Sequence, residues 1–266
     1  MSDQDYGKKA ETMFARYRSR LKEEDILGDS PTKGTAIRFC EKRPFDGVSA
    51  IRNLFDTLSI NGWNPPQLAG TNWKWRDDKP TFKTRSPEVI LERTVVLKGN
   101  TGTNEWTWQM STASGVEAQL EDKRNASNKR AAIDLVRNNG NGSFTFVELK
   151  VGSDNPLYAL FELLGYALAY LQARKNGWGE YDPENEIFNA REIKLVVLGP
   201  EDWYKYKRRG SNAEHQIFNL DWMLPSLVEG LNLLSKGNPT FSIAFETFRD
   251  PVELAAEQII SSAPGW

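Results

Sequence analysis

A chain of 266 residues that is 39% hydrophobic and 26% charged has the make-up of a soluble globular protein with enough apolar material for a sizeable core. Its net charge of −2 and pI of about 5.7 exclude a global electrostatic pull toward nucleic acid, so any such contact has to come from local basic patches. The single Cys40 excludes an intrachain disulfide, and with the single His215 it excludes thiolate–imidazole and paired-histidine zinc sites.

Met1-Ser-Asp-Gln-Asp5 has neither the basic nor the apolar region of a secretory leader. The longest apolar stretch, Leu157 to Leu171, is interrupted by Glu162 and is shorter than the ~20 residues a membrane span requires. The expectation is a cytoplasmic protein with no membrane partner.

Tyr6, Ala10, Met13, Phe14, Tyr17 and Leu21 recur at helical spacing and predict a first helix over about 5–21. Arg16, Arg18, Arg20 and Lys22 fall mainly on its other faces, as a solvated surface or as phosphate contacts. A short strand is expected over 35–40. Val48, Ile51, Leu54, Phe55 and Leu58 then predict a second amphipathic helix, closed by Asn61-Gly62. Residues 63–85 are irregular. There Trp63, Trp73 and Trp75 interleave with Lys74, Arg76, Lys83 and Arg85, either to stack on bases or to pack a Pro-rich linker onto the core. A boundary near Ser86 separates a mainly helical amino-terminal extension, 1–85, from an α/β core, 86–266.

Ser86-Pro87 reads as the cap and first turn of a helix running to about Leu97 and ended by Gly99. Trp106 to Met110 alternates as a strand. The polar segment 117–130 reads as a loop whose Lys129 and Arg130 stand just upstream of the next strand. Two apolar runs follow, Ala131 to Val136 and Phe144 to Val151, joined by a stretch rich in Asn and Gly that suits a hairpin turn. Alternation in the second run turns Val147 and Leu149 to the core, and Glu148 and Lys150 share the other face. Asp134 interrupts the first run where an apolar residue would be cheaper to bury. Two carboxylates at one hairpin edge repel unless a proton, a Lys or a metal cation offsets them.

Asn155-Pro156 opens a helix that is apolar nearly all round. Glu162 within it is costly to bury without a partner. Ile193 to Leu198 is a continuous apolar strand of the kind found inside sheets. The cluster from Trp203 to Arg209 carries Lys205, Lys207, Arg208 and Arg209 among aromatics, as a nucleic-acid contact or a plain surface helix. A helix over about 220–234, a strand over 241–245 and a terminal helix over 251–260 complete the chain. No Gly-rich phosphate loop is present.

Asp134 followed by Glu148-Leu149-Lys150 resembles the PD-(D/E)xK signature of the restriction-endonuclease-like nucleases, with Ile133 in place of the Pro. The preceding helix, the strand pair, the long apolar helix and the next strand give that signature its context, over roughly 86–200. The resemblance implies a core with a central mixed β-sheet flanked by helices, and a metal-dependent endonuclease acting on DNA in restriction, defence or repair. In it, Asp134, Glu148 and the Leu149 carbonyl would bind one or two Mg²⁺ ions, with Mn²⁺ as a substitute. Lys150 would act on the attacking water and the transition state, and the products would carry a 5′-phosphate and a 3′-hydroxyl. The family often adds a carboxylate from the helix before its strands. Glu92, in mid-helix among Val89, Val95 and Val96, is the first choice for it, and Glu88, which the helix dipole explains, is the second. Lys129, Arg130, Lys205, Lys207, Arg208 and Arg209 would contact the DNA backbone. A homodimer stays open. Two other readings stand beside this one: a nuclease-fold protein that binds nucleic acid or a partner without cleaving, and an unrelated protein in which Glu148 and Lys150 form an ordinary surface pair.

Overall fold

The computed structural model describes residues 20–21, 36, 45–58, 72–76, 78–101, 105–112, 132–152, 155–206, 216–249 and 251–265. Most of the expected first helix, the strand over 35–40 apart from Ala36, the loop over 117–130 and the cations Lys129, Arg130, Lys207, Arg208 and Arg209 lie outside the described residues.

The fold is α/β, built on a five-stranded mixed sheet with helices on both faces. In chain order the elements begin with α1 (Gly47–Leu58), α2 (Pro87–Gly99), β1 (Trp106–Ser111), β2 (Ala132–Gly140) and β3 (Ser143–Leu149). There follow α3 (Pro156–Lys175), the single turn α4 (Trp178–Tyr181), β4 (Glu192–Pro200) and the short pair β5 (Lys205–Tyr206) and β6 (Gln216–Ile217). The chain closes with α5 (Leu224–Ser235), β7 (Thr240–Phe248) and α6 (Val252–Ser262). The sheet order is β1-β2-β3-β4-β7, antiparallel across β1, β2 and β3 and parallel from β3 through β4 to β7.

The β2–β3 turn forms where expected, because Gly140, Asn141 and Gly142 take positive φ values of 81°, 54° and 76°, which Gly and Asn adopt at least cost. The long helix α3 starts at Asn155, whose side chain accepts the Tyr158 N–H, with Pro156 in its first turn. A parallel step from β3 to β4 requires such a crossover, and a sheet built this way is covered on both faces. One layer joins Phe144, Phe146, Leu195 and Val197 to α3, with α1 and α5 in the same core. The other joins Leu135, Val147, Leu149, Val196 and Leu198 to α2 and α6.

Two features ahead of Ser86 belong to the first of these layers. Ile51 and Leu54 of α1 are fully buried in it, and the backbone of Gly230 in α5 lies so close that an added Cβ would stand 2.9 Å from Ile51 Cβ. Trp73 is also fully buried and meets Tyr170 edge-on at 5.8 Å, while Trp75 meets Phe144 at 6.4 Å. Trp73 thus fills the core and the half-buried Trp75 packs against it, and Arg76 covers the Trp108 ring at 4.5 Å.

Between β4 and β5 the chain makes a 3₁₀ turn, Glu201–Tyr204, in place of a surface helix. The reason is aromatic burial. Trp203 and Tyr204 sink into the core, and the Tyr204 hydroxyl donates to the Val197 carbonyl at 2.7 Å. Among the described residues no helix is long and apolar enough to cross a membrane.

Candidate active site

The site lies where β2 separates from β3. Their ladder runs from the hairpin to Leu135↔Val147 and goes no further. One residue beyond, the Asp134 side chain takes over: its Oδ2 accepts the Leu149 N–H at 2.9 Å. The neighbouring strand is disturbed at the same level. Pairing of β1 with β2 passes from Trp108↔Leu135 to Met110↔Ile133 with no pair between them, and Gln109 has a φ of 49°. Trp108 therefore joins one core layer and Met110 the other.

On β3, alternation with Phe144 and Phe146 carries Glu148 onto the layer covered by α3. Because both faces of this sheet are packed, that face is no solvated surface. Glu148 is 2% exposed and Lys150 8% exposed. Lys150 Nζ donates to Glu148 Oε1 at 2.5 Å and to Glu162 Oε2 of α3 at 3.3 Å. The pair is buried, so it is not the ordinary surface ion pair of the third reading.

Helix α2 contributes both of its candidates. Glu92 is 2% exposed, so the mid-helix carboxylate turns inward, and its Oε2 accepts the Gln109 Nε2–H at 2.8 Å. The same nitrogen lies 3.5 Å from Asp134 Oδ1, so one amide links α2 to β2. Glu88 Oε1 accepts the Val151 N–H at 3.0 Å and holds the backbone just past Lys150.

Crowding of acidic groups away from water sets the electrostatics. Burial, and then the Asp134 charge, pushes Glu92 up to about 9, against the Gln109 hydrogen bond. Burial also raises Asp134 to about 6, while Lys150 and the Leu149 N–H draw it down and Glu162 and Glu88 push it up. Glu148 is held well above the ordinary carboxylate range by burial, Asp134 and Glu162, with Lys150 opposing. For Lys150 burial works against the charged form, but Glu148, Glu162 and Asp134 outweigh it and keep the ammonium protonated above its usual range.

The structure thus brings Asp134, Glu148, Lys150 and Glu92 into one cluster with Glu88 and Glu162, and Leu149 is tied into it through its own N–H. Lys205 stands apart, paired with Glu201 at 3.3 Å and Asp202 at 2.8 Å, so two carboxylates already share its charge. Gln109 was not legible as a site residue, since a polar side chain in an alternating strand carries no signal of its own. A cavity of about 350 Å³ lined by Glu105, Arg137, Asn138, Asn139 and Gly140 opens at the hairpin end of β2, and none of the clustered carboxylates lines it.

The donors suit a hard divalent cation in kind: all are oxygens, and Glu148 Oε2 is buried without a hydrogen-bond partner. Among the described residues no group of three or more Asp, Glu, His or Cys side chains is arranged to hold a metal ion as it stands. The cation now nearest Glu148 is the Lys150 ammonium.

No protein-family model, no curated protein and no solved structure matches this chain.

Proposed function

We propose that this protein is a metal-dependent nuclease of the PD-(D/E)xK, restriction-endonuclease-like type that hydrolyses phosphodiester bonds in DNA. One observation carries the reading: Asp134, Glu148 and Lys150 meet at the point where β2 parts from β3, with Glu92 tied to Asp134 through one amide. A hairpin with no chemistry to perform would fill those positions with apolar residues, because each buried carboxylate costs several kcal/mol unless compensated.

Asp134, Glu148 and the Leu149 carbonyl would hold Mg²⁺, with Glu92 as a further oxygen donor. When bound, the ion lowers the pKa of a water and offsets charge on the scissile phosphate. The chain's own residues do the rest. Lys150, kept protonated by its acidic neighbours, supplies positive charge to the phosphoryl oxygens as negative charge develops, so it stabilises the transition state rather than acting as the base. The Leu149 N–H fixes the Asp134 carboxylate, and Glu88 fixes the backbone beyond Lys150, so the donors are held before substrate arrives. Lys129, Arg130, Lys207, Arg208 and Arg209 are proposed as the cations that hold the DNA backbone, and Lys205, already paired with Glu201 and Asp202, is left out of that set.

Incubation with supercoiled plasmid in Mg²⁺ or Mn²⁺, beside a chelator control, tests the reading. Nicked or linear product only where the metal is present is the expected result; intact plasmid in every lane rejects it.

A second reading is favoured by the direct Lys150–Glu148 pair. If that ammonium is the only cation the cluster ever receives, the fold binds nucleic acid without cutting it. Salt-sensitive binding with no metal-dependent cleavage would select it.

A further inference from the structure

We propose that Gln109 is a positioning residue that sets the spacing between Glu92 and Asp134 for cation binding, a role that rests on the metal-dependent reading above. Three observations converge on it. Gln109 holds a φ of 49° in the middle of β1, a left-handed conformation that is unfavourable for a residue with a side chain. The β1–β2 register lacks the pair of Gln109 with Asp134 while the pairs on either side survive, so the ladder is interrupted at these two residues alone. Its amide then reaches a carboxylate on each side, Glu92 Oε2 at 2.8 Å and Asp134 Oδ1 at 3.5 Å.

The chemistry of the side chain fits that task. One Nε2 carries two N–H bonds, one for each acceptor. An amide is neutral at every working pH, so it joins two acids without supplying the charge that a metal would bring. A Lys there would compete with a cation, and a Glu would add to the repulsion. The backbone strain persists because α2 and β2 together fix both ends of the link. Strain of this kind, held by its surroundings, is what a preorganised site stores.

The test separates backbone from amide. Gln109→Gly relaxes the positive φ and removes the amide; Gln109→Asn tolerates the conformation but carries an amide too short to span both carboxylates. Mn²⁺ alone is titrated into the full chain and each variant by calorimetry, beside thermal unfolding in chelator and plasmid cleavage. The glycine variant, which gains from the relaxed φ and loses a hydrogen bond to buried Glu92, is expected to stay folded and to bind Mn²⁺ about ten- to a hundred-fold more weakly, with cleavage falling alongside. The asparagine variant is expected to lie between the two. A glycine variant with parental Mn²⁺ affinity overturns the proposal and leaves the metal reading intact. A parent that neither binds Mn²⁺ nor cleaves overturns both. If the glycine variant fails to fold, the asparagine variant decides: weakened Mn²⁺ binding at an unchanged unfolding temperature supports the role, and parental affinity overturns it.

Discussion

Asp134 accepts the backbone N–H of Leu149 at 2.9 Å, a bond from the residue beyond the last β2–β3 pair to the middle of Glu148-Leu149-Lys150. The carboxylate thereby does the work of a ladder carbonyl and fixes the two acidic positions relative to each other. Substitutions at Asp134 should separate these roles. Asp134→Asn keeps an acceptor for the Leu149 N–H and removes a like charge, so it should fold at least as stably as the parent in chelator while losing metal-dependent cleavage. Asp134→Ala strands that N–H and should cost about 1–3 kcal/mol in denaturant unfolding, less whatever is gained by removing a like charge. Equal stability of the two variants would deny the bond a structural part.

Lys150 is the buried counterion of Glu148 and Glu162. Removing one member of a buried pair leaves uncompensated charge, so Lys150→Ala should destabilise the chelated protein by about 3–5 kcal/mol as well as abolish cleavage. Mg²⁺ should restore part of the lost stability by supplying the missing cation. Denaturant unfolding with and without Mg²⁺ measures both effects, and an unaltered midpoint in chelator would contradict them.

The acidic cluster makes stability depend on pH in a definite direction. Burial first, with charged neighbours, holds Asp134 up to about 6, Glu92 up to about 9 and Glu148 above its ordinary range. Groups with raised folded-state values bind more protons in the folded chain. Their contribution is complete below the unfolded pKa and is lost as pH rises through the folded one. Without metal, stability should therefore fall from about pH 4.5 to about pH 9, with Glu92 and Glu148 both contributing to the upper part. The slope is at most about 1.4 kcal/mol per pH unit for each such group. Glu92→Gln should flatten the curve above about pH 6. Chelated stability that rises across the same range would contradict the cluster's electrostatics.

The packing of α1 makes a prediction about the amino-terminal stretch. An added Cβ at Gly230 would stand 2.9 Å from Ile51 Cβ, so Gly230→Ala has to push α1 and α5 apart. A loss of about 1–3 kcal/mol is expected from such overpacking. Unfolding should remain a single transition, since Ile51 and Gly230 pack in the core that also holds α3. A separate early transition would mark α1 as an independent unit.

The hairpin was the most legible part of the molecule, because alternation and a Gly-Asn-Gly turn specify it locally. Asp134 and Glu148 stood out as acids among apolar residues, and Glu92 for the same reason in a helix. The burial of Glu148 and Lys150 was harder to read. It depends on α3 covering that face, a tertiary fact that alternation cannot express. The fate of Trp73, Trp203 and Tyr204 was hidden for a related reason: an aromatic beside a cation reads alike whether it packs inward or waits for a base. Gln109 left no trace, since its importance lies in a φ value and in partners 17 and 25 residues away.

Metal-dependent cleavage, proposed for the Asp134–Glu148–Lys150 cluster, is measured most directly by plasmid cleavage with the parent and with Glu148→Gln, each in Mg²⁺ and in chelator. Cleavage by the parent in Mg²⁺ alone, with product formation lost in a folded Glu148→Gln protein, is the result predicted. Cleavage that survives in Glu148→Gln, or in chelator, would contradict it.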